Sequence, residues 1–505
     1  MVTAAERYDK LEIHRTQFLQ RARHNAMLTI PSLMPLDGHD GKAHLIEPYQ
    51  SLGALGIVAM SSRVTMALIP AGRPHLRLGI PPAVMLQMKG DVPPEVNQQL
   101  AKAEQLIALA VERANWRAST LMLIQQLMVA GSVTVEFLED QTLRLHRLDN
   151  YVWRRDARGL VLECIIKEWW DPEALPEGVS RPTNDMSAGG GIGKSTDDDV
   201  EVYTVIKYKN ESDSYSLHKE TEEGVRVGDT LDFERAKLPY LFLRWSSTPG
   251  EDYGRSKVEE VIGDLRSYDS LSKQSLEQGA MAAMNFIMVR PGATANGLRQ
   301  RLSRINNGDI VVGDPESVDV KQFANGPGYQ ITESQIQKLE ERLSRAFLLL
   351  STQQRNAERV TATEIERDIQ ELESTLGGTF SALSLEFLEK LTTLIMEDMK
   401  VKGEFPAIEE GKLQTTILTG LEALSRERDV GRGVQAAQIV SQFGEEGLRR
   451  IKLDVVLDKI MVGLGFPDAI KSEKQVKQEQ AEMQQAAMAQ QAVGPAIQAA
   501  AKEGG

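Results

Sequence analysis

The sequence predicts an α+β protein that is mostly helical. Apolar residues recur at three- and four-residue steps over long segments on both sides of the chain centre, which is the periodicity of amphipathic helices. Between those segments, residues 133–243 change to a period of two, which is typical of antiparallel strands. Aromatic residues make up only 5% of the 505-residue chain, so aliphatic side chains are expected to fill a helix-rich interior.

The net charge and the cysteine content exclude some classes of protein. A formal net charge of −14 argues against a general nucleic-acid binder, which needs a basic face to displace the counterions of phosphates. The charge does not exclude a protein past which DNA moves without binding tightly. The single cysteine, Cys164, excludes an intramolecular disulfide framework, and its apolar neighbours predict a buried, inert thiol. We expect a soluble, non-exported protein, since neither a signal peptide nor an apolar run of membrane-spanning length is present.

The first quarter of the chain predicts helices. The segment AAERYDKLEIHRTQFLQRARHNAML is amphipathic and is expected to end before Pro31. Glu47–Pro70 is apolar on nearly every face, and Gly53 and Gly56 allow close helix packing, so we expect a deeply buried helix. A further pair of helices is expected at about 95–130.

The period-two region begins after Gly131, which is expected to stop the preceding helix. Its predicted strands form a mostly antiparallel sheet and are VTVEFL, LRLHRL, YVWRRD, LVLECIIKEWW, VEVYTVIKYK, SYSLHKE and LPYLFLRW. Four of the five tryptophans lie here, and we expect them to pack in the core and at its edges rather than line a ligand site.

The next region predicts two long helices with a compact insert between them. The first lies within STPGEDYGRSKVEEVIGDLRSYDSLSKQSLEQGAMAAMNF, and its apolar stripe recurs at helical spacing. The second is TESQIQKLEERLSRAFLLL and is expected to open with a cap formed by Thr332 and Gln335. The insert, roughly 287–330, holds two strand candidates around a basic helix. This arrangement predicts an extended hairpin with a small module at its tip.

A glycine-rich segment, MSAGGGIGKST, partly fits a phosphate-loop pattern at Ala188–Ser195. A phosphate loop needs a buried strand before it and a helix after it, because the helix N-terminus holds the phosphates. Here the approach is polar, and the exit carries three aspartates, Asp197 to Asp199, followed by an alternating strand. We therefore expect a hairpin tip, with a P-loop NTPase as the alternative.

No catalytic constellation is recognisable in the sequence. The histidines are scattered, and the only loose cluster is His39 and His44 near Asp37 and Asp40. That stretch is expected to be a loop without cysteine support, so a metal site is not predicted. Carboxylates lie mainly on predicted helix faces, where solvated ion pairs are the ordinary explanation. The sequence predicts no catalytic residue, metal or cofactor, and hence no enzyme.

Three long stretches point to a known family: RARHNAMLTIPSLMP with EPYQSLGALGIVAMSSRVTMALIP, then GEDYGRSKVEEVIGDLRSYDSLSKQSL, then QQRNAERVTATEIERDIQELESTLGGTFSALSLEFL. In order and spacing they resemble the head-to-tail connector, or portal, family of short-tailed bacteriophages. The similarity covers nearly the whole chain. The glycine-rich segment 185–199 departs from the family and is expected to be a surface insertion.

The resemblance implies a portal fold assembled as a ring, usually of twelve copies, at one capsid vertex. Double-stranded DNA would be packaged and ejected through its channel without sequence specificity. The implied regions are the N-terminal section of the wing at 1–252, stem helix 253–285, clip 286–330, stem helix 331–352, tunnel loop 353–364, wing helices 365–426, crown 427–471 and a Gln/Ala-rich tail 472–505.

The resemblance also implies partners and a location. The partners are the packaging terminase, a tail adaptor, scaffold and major capsid proteins, and no membrane. The protein would be assembled in the host cytoplasm and reside in the virion at the head–tail junction, with packaging energy supplied by a separate ATPase. Besides the P-loop NTPase, a capsid or tail structural protein without a DNA channel remains an alternative.

The candidate DNA-channel residues are Arg355, Arg359 and Thr361 in the implied tunnel loop. The two arginines are expected either to touch phosphates briefly without reading sequence, or to pair with nearby glutamates or a neighbouring subunit. The surrounding segment 342–367 has a charge balance of +2 in an otherwise acidic chain.

The implied clip holds a second basic group. Its arginines are Arg299, Arg301 and Arg304. They are expected either to dock an acidic partner, such as the motor or a tail adaptor, or to form a solvated face.

Overall fold

The structure, a computed structural model, describes residues 2–37, 39, 44–70, 76–79, 94–171, 173, 199–283, 285–289, 318–322, 327–349, 376, 378–404 and 414–416. Helices account for about half of these residues, and strands form much of the rest, so the predicted mixture of helix and sheet is confirmed. In the described residues the α-helices are α1 Ala4–Met27, α2 Leu52–Leu68, α3 Pro94–Arg113, α4 Trp116–Ala130, α5 Ile262–Ala283, α6 Pro327–Ala346, α7 Gly378–Leu383 and α8 Lys390–Val401. A π-helical turn, Ser384–Glu389, joins α7 to α8.

The described strands are β1 Arg77–Gly79, β2 Ser132–Phe137, β3 Leu143–His146, β4 Tyr151–Arg155, β5 Val161–Trp170, β6 Val200–Lys209, β7 Ser214–Thr221, β8 Arg226–Glu234, β9 Tyr240–Arg244, β10 Asn285–Val289, β11 Val318–Gln322 and β12 Gln414–Thr416. All of their pairings are antiparallel. Among them, five strands form one sheet in the order β4-β5-β6-β7-β8, and three form another in the order β3-β2-β9; β1 pairs with β12, and β10 with β11.

Two features of this region differ from the expectation. The single predicted sheet is divided in two, and strand β8 was missed. Nearly every residue of β8 is exposed, because it is an outer strand of the five-stranded sheet with acidic side chains. Val227, Leu231 and Phe233 follow a period of two, but Asp229 interrupts that apolar alternation, so the strand is hard to recognise.

The other outer strand of the same sheet, β4, has its free edge blocked by side chains. The backbone N–H of Trp153 donates to the hydroxyl of Tyr253 at 2.8 Å, and the N–H of Arg155 donates to Asp252 Oδ1 at 2.8 Å. Because these donors are satisfied, β4 offers little to an additional strand. The same contacts fix the segment that leads into α5 against the sheet.

A buried arginine attaches helix α1 to the sheet. The guanidinium of Arg15, only 2% exposed, donates to the hydroxyl of Tyr8 at 2.7 Å. The same nitrogen lies within 3.2 Å of three backbone carbonyls, those of Leu148, Asp149 and Tyr151. One side chain thus satisfies acceptors on the strand connection and anchors the middle of α1.

Two glycines allow α4 to meet the segment before α5. Gly131 ends α4 with a φ of +79°, which favours glycine, as the sequence predicts. A Cβ built on Gly254 would lie 2.3 Å from the carbonyl oxygen of Gly131, so the two backbones touch. No side chain fits between them, and the junction therefore requires glycine at both positions.

Helix α2 differs from the prediction of a deeply buried helix. Gly56, Ile57, Met60 and Val64 are buried, but Leu55, Val58 and Met66 form an exposed stripe on the opposite side. Among the described elements α2 packs mainly on α4 and α6, and these neighbours cover only part of its circumference. Composition alone therefore overstated its burial.

The remaining core matches the expectations. Cys164 is buried and free, and burial raises the pKa of its thiol, so it is inert. Trp153 and Trp245 are core residues. None of the described helices combines the length and apolar character required to cross a membrane.

A buried polar cluster joins the two sheets. Glu136 on β2 accepts hydrogen bonds from Tyr240 and from His146, whose Nε2 lies 3.2 Å from its carboxylate. His146 and Glu168 are also buried, and Arg144 reaches Glu168 at 2.6 Å. Burial opposes ionisation of Glu136, but the bonds from His146 and Tyr240 prevail and lower the pKa of its carboxyl below the ordinary value of 4.5.

Glu136→Gln is expected to lower the free energy of unfolding at pH 7 by about 1.5–3 kcal/mol, the worth of hydrogen bonds to a charged group. Because the pKa of Glu136 is lower in the folded protein, its ionised carboxylate stabilises the fold above pH 4.5. This stabilisation is lost as the pH falls through the pKa of Glu136 in the folded protein. The difference between wild type and variant should therefore shrink below pH 4.5, as measured by urea unfolding at pH 7 and pH 3.5. Glu139→Gln, at an exposed position after β2, is the control, and a difference that stays constant with pH would contradict the expectation.

Candidate functional site

The most prominent feature outside the globular body is the hairpin of α5 and α6. The two helices run antiparallel, since Asp264 early in α5 pairs with Arg342 late in α6 at 2.7 Å. At this base Leu265 and Leu343 are fully buried. The helix spacing that predicts two long amphipathic helices is therefore confirmed, and their apolar stripes meet where the hairpin joins the body.

The bounds of the two helices differ from the prediction. Helix α5 begins at Ile262 rather than near 253, because the preceding residues dock on the sheet and form a short 3₁₀ turn. Helix α6 begins at Pro327, and proline is favoured in a first turn. The predicted cap at Thr332 and Gln335 is wrong, since both residues lie inside α6.

The far end of the hairpin carries strands. β10 pairs antiparallel with β11, from Asn285↔Gln322 to Val289↔Val318. The first of these strands is predicted, and its partner is not. The second predicted strand, 308–314, lies outside the described residues, as do Arg299, Arg301 and Arg304 of the implied clip.

The base of the hairpin is anchored to α2 by an aromatic ring against a glycine. Phe347, just after α6, is fully buried, and a Cβ built on Gly56 would lie 2.5 Å from its Cγ. A second contact comes from the chain before α2, where the N–H of Tyr49 donates to Asp269 Oδ1 at 2.7 Å. The ammonium of Lys273 lies 5.2 Å from the centre of the Tyr49 ring. The hairpin is therefore held by α2 and its leading segment.

The outer half of the hairpin is exposed and almost neutral. Together α5 and α6 contain six carboxylates and five cations, a net charge of −1. Leu276 and Ile331 are each 63% exposed, and glutamine and serine are frequent among their exposed neighbours. A near-neutral surface rich in uncharged polar groups offers few fixed charges to phosphate.

Two arginines counted in the basic segment 342–367 are engaged within the chain. Arg342 pairs with Asp264, as above, and Arg345 pairs with Glu341 one turn away. The partner of Arg342 is distant in sequence, so sequence reasoning missed it. The other predicted channel residues, Arg355, Arg359 and Thr361, lie outside the described residues.

The surroundings of the glycine-rich segment are unlike those of a phosphate loop. Ala188–Ser195 itself lies outside the described residues, but the strands on either side, β5 and β6, pair antiparallel with Trp170 opposite Val200. Only residues 196–199 separate Ser195 from β6, too few for the helix that would hold phosphates.

The described residues likewise hold no group of three or more His, Cys, Asp or Glu side chains arranged for a metal ion. The loose histidine cluster lies partly outside them, and its Asp37 is paired with the guanidinium of Arg23.

Comparison with known proteins identifies relatives over most of the chain. Residues 2–470 match the family described as "Bacteriophage head to tail connecting protein". The portal protein of Escherichia phage T7 is 31% identical over 84% of this chain and 79% of its own length, and that of Enterobacteria phage T3 is 32% identical with the same coverage. Among solved structures, the neck of an empty GTA particle shares 13% identity over 78% of this chain and 87% of that chain, with a TM-score of 0.39, too low to bear on the assignment. The family match includes all three stretches of sequence that carry the resemblance, and the chain belongs to the bacteriophage head-to-tail connecting protein family.

Proposed function

We propose that this connecting protein assembles as a closed ring of about twelve copies at the head–tail junction, and that double-stranded DNA passes through the ring during packaging and ejection. The observation that carries the proposal is the hairpin of α5 and α6. Its outer half leaves Leu276 and Ile331 uncovered in a single copy. In a closed ring every copy has a neighbour on each side, so long helices of this kind gain the contacts that one subunit lacks.

The role is structural. Membership of a family of connecting proteins, with relatives named portal proteins, confirms the prediction that the chain is not an enzyme. We propose that a separate ATPase, the packaging terminase, docks on the ring and supplies the energy. Tail adaptor, scaffold and major capsid proteins are the other proposed partners. Arg299, Arg301 and Arg304 are the proposed docking residues of the clip.

The channel wall is proposed to consist of the hairpin helices, within the stem regions 253–285 and 331–352. Weak attraction is what a moving duplex requires, because each phosphate neutralised by a fixed cation adds binding free energy that opposes sliding. The net charge of −1 over α5 and α6 and the frequent glutamines supply that condition. The regions 353–364 and 427–471 are proposed as tunnel loop and crown.

Negative-stain electron microscopy of the purified full chain, with mass determination alongside, tests the proposal. Closed rings of about twelve copies with a central hole are expected. Assembly should be repeated with scaffold and capsid protein present, because a ring can depend on them. A protein that stays monomeric under both conditions would contradict the ring, and closed particles without a hole would favour a capsid or tail protein that lacks a channel.

Arg359→Ala is expected to weaken retention of packaged DNA by about tenfold or more, because a charge-assisted contact to phosphate is worth roughly 1.5–3 kcal/mol. Packaging efficiency and DNA retention are measured in assembled particles. Arg345→Ala is the matched control, since that arginine is already paired with Glu341. Unchanged packaging and retention in Arg359→Ala would instead favour pairing of Arg359 with glutamates of the loop or of a neighbour.

A further inference from the structure

A polar cleft lies between the C-terminal half of α1 and the first turn of α5. Its volume is about 560 Å³, and its polar lining comprises Gln17, Gln20, Arg21, His24, Asn25, Glu259 and Arg266. The cleft is open to solvent. Sequence reasoning does not find it, because α1 and α5 are more than 200 residues apart.

The cleft is positively charged although the chain as a whole is acidic. Within the described residues, neither Arg21 nor Arg266 forms an ion pair. The Nε of Arg21 is buried without a hydrogen-bond partner, and its guanidinium lies 4.4 Å from the centre of the Phe18 ring. Glu259, the one carboxylate of the lining, already accepts from Arg255 at 3.3 Å. The hydrogen bond from Arg255 and the nearby charge of Arg21 lower the pKa of the Glu251 carboxyl, but Glu251 is ion-paired with Arg255 and not with Arg21. Two guanidinium groups are therefore available to an incoming anion.

Arg266 is held in place by a neutral histidine. Its Nη2 donates to His24 Nε2 at 2.8 Å. Burial of His24 and the adjacent positive charge of Arg266 lower the pKa of the imidazole, so it accepts this bond at neutral pH. The histidine orients the guanidinium and takes none of its charge. Guanidinium groups oriented in this way suit bidentate binding of carboxylates.

The opposite end of α1 bears an acidic patch, which we define as Glu222 and Glu223 of the β7–β8 turn. The N–H of Ala4 bonds to Glu220 at the end of β7, and a Cβ on Gly224 would lie 3.2 Å from the Thr3 side chain, so the β7–β8 turn sits at the start of α1. Glu222 and Glu223 are exposed, and neither forms an ion pair with another described residue.

The patch and the cleft are held apart by a rigid element. Arg21 is eighteen residues beyond Thr3, and α1 is continuous between them, which gives a separation of about 27 Å along the helix axis. Arg15 fastens the middle of α1 to the sheet, so the two charged sites keep a fixed distance. Opposite charges at opposite ends of one body favour head-to-tail contacts between copies over contacts between two identical patches.

We propose that the acidic patch of one copy occupies the basic cleft of the next copy, and that this contact repeats around the ring. The proposal rests on the ring proposed above and specifies one of its contacts. Copies that each carry −14 repel one another, so a local positive site that accepts carboxylates offsets that repulsion where the copies meet. The charge-assisted bonds also set the register of neighbouring subunits.

Charge reversal on each side tests the contact. The cleft variant is Arg21→Glu with Arg266→Glu, and the patch variant is Glu222→Arg with Glu223→Arg. Lys10→Glu is the control, since Lys10 is an exposed cation on α1 outside the cleft and has no ion pair in the described residues. Ring formation is followed by mass photometry against protein concentration and salt, and thermal unfolding checks that every variant is folded.

Each double variant alone should need at least tenfold more protein than wild type to form rings, whereas Lys10→Glu should assemble like wild type. An equimolar mixture of the two double variants should recover rings of alternating copies, because every contact then joins opposite charges. Recovery on mixing cannot come from a misfolded subunit.

Four outcomes would overturn the inference. A folded cleft variant that assembles at the wild-type concentration would exclude the cleft while the ring stands. A patch variant that assembles normally, or a mixture that fails to recover, would exclude Glu222 and Glu223 as the occupants. A wild-type chain that forms no ring, either alone or with scaffold and capsid protein, would contradict the proposed function and this inference with it.

Discussion

Replacing Arg15 with methionine is expected to lower the free energy of unfolding by about 3–5 kcal/mol, the usual cost of removing one partner from a buried charged network. Burial opposes the charge of Arg15, but Tyr8 and Glu12 outweigh that effect and raise the pKa of the guanidinium, so it is charged. Methionine fills a similar volume without a donor. The carbonyls of Leu148, Asp149 and Tyr151 would each lose the guanidinium and remain buried.

The measurement is urea unfolding followed by circular dichroism, with Lys10→Met as the control on the same helix. Lys10 is exposed, so its replacement should change the free energy of unfolding by no more than about 0.5 kcal/mol. Arg15→Met should in addition increase hydrogen exchange in α1, since that helix loses its central attachment to the sheet. If the two variants had the same free energy of unfolding, Arg15 would not be the residue that attaches α1 to the sheet.

Gly56→Ala is expected to lower the free energy of unfolding by about 1–3 kcal/mol, because the added methyl group overpacks a filled contact. The new Cβ would lie 2.5 Å from Cγ of Phe347, whose ring is fully buried and cannot move into solvent without cost. Either the ring leaves its site or α2 and α6 separate. Both outcomes loosen the hairpin at its base, so ring assembly should also weaken.

A second glycine provides a control in which alanine is expected to raise, not lower, the free energy of unfolding. Gly279 lies in α5, and a Cβ there meets nothing within 4 Å, so Gly279→Ala should raise the free energy of unfolding by up to about 1 kcal/mol through helix propensity. Adding Phe347→Leu to Gly56→Ala should recover some of the lost stability, because the smaller side chain makes room for the methyl group. Calorimetric melting compares the variants. A neutral Gly56→Ala would mean that the ring and the helix adjust freely.

The local pattern of the sequence predicts much of the fold. The period of apolar residues predicts α1, α2 and the two hairpin helices, and the stop at Gly131 is confirmed by its positive φ. These predictions succeed because helices and half-buried strands repeat an apolar side chain at a fixed interval. Strand β8 is missed because Asp229 interrupts the period of two that Val227, Leu231 and Phe233 follow, which leaves too short an apolar alternation to detect.

Helix ends are predicted less well, because their causes are not local. Helix α6 ends at Ala346 although the following residues, FLLL, contain no breaker. Phe347 turns in against Gly56, and Leu348 adopts a φ of +58°, an unusual conformation for a branched side chain. The backbone strain at Leu348 costs about 1–2 kcal/mol, and the free energy gained by burying Phe347 offsets it.

The sequence by itself determines the kinds of element, the family and the structural class of the function, because each is carried by residues that are close together in the chain. The tertiary structure alone decides which faces remain uncovered and which charges remain unpaired. Arg342 is neutralised by Asp264, and Arg21 and Arg266 are brought together in one cleft, by folding of segments that are distant in sequence. Charge pairing and burial depend on separations of a few ångströms, which no local periodicity specifies.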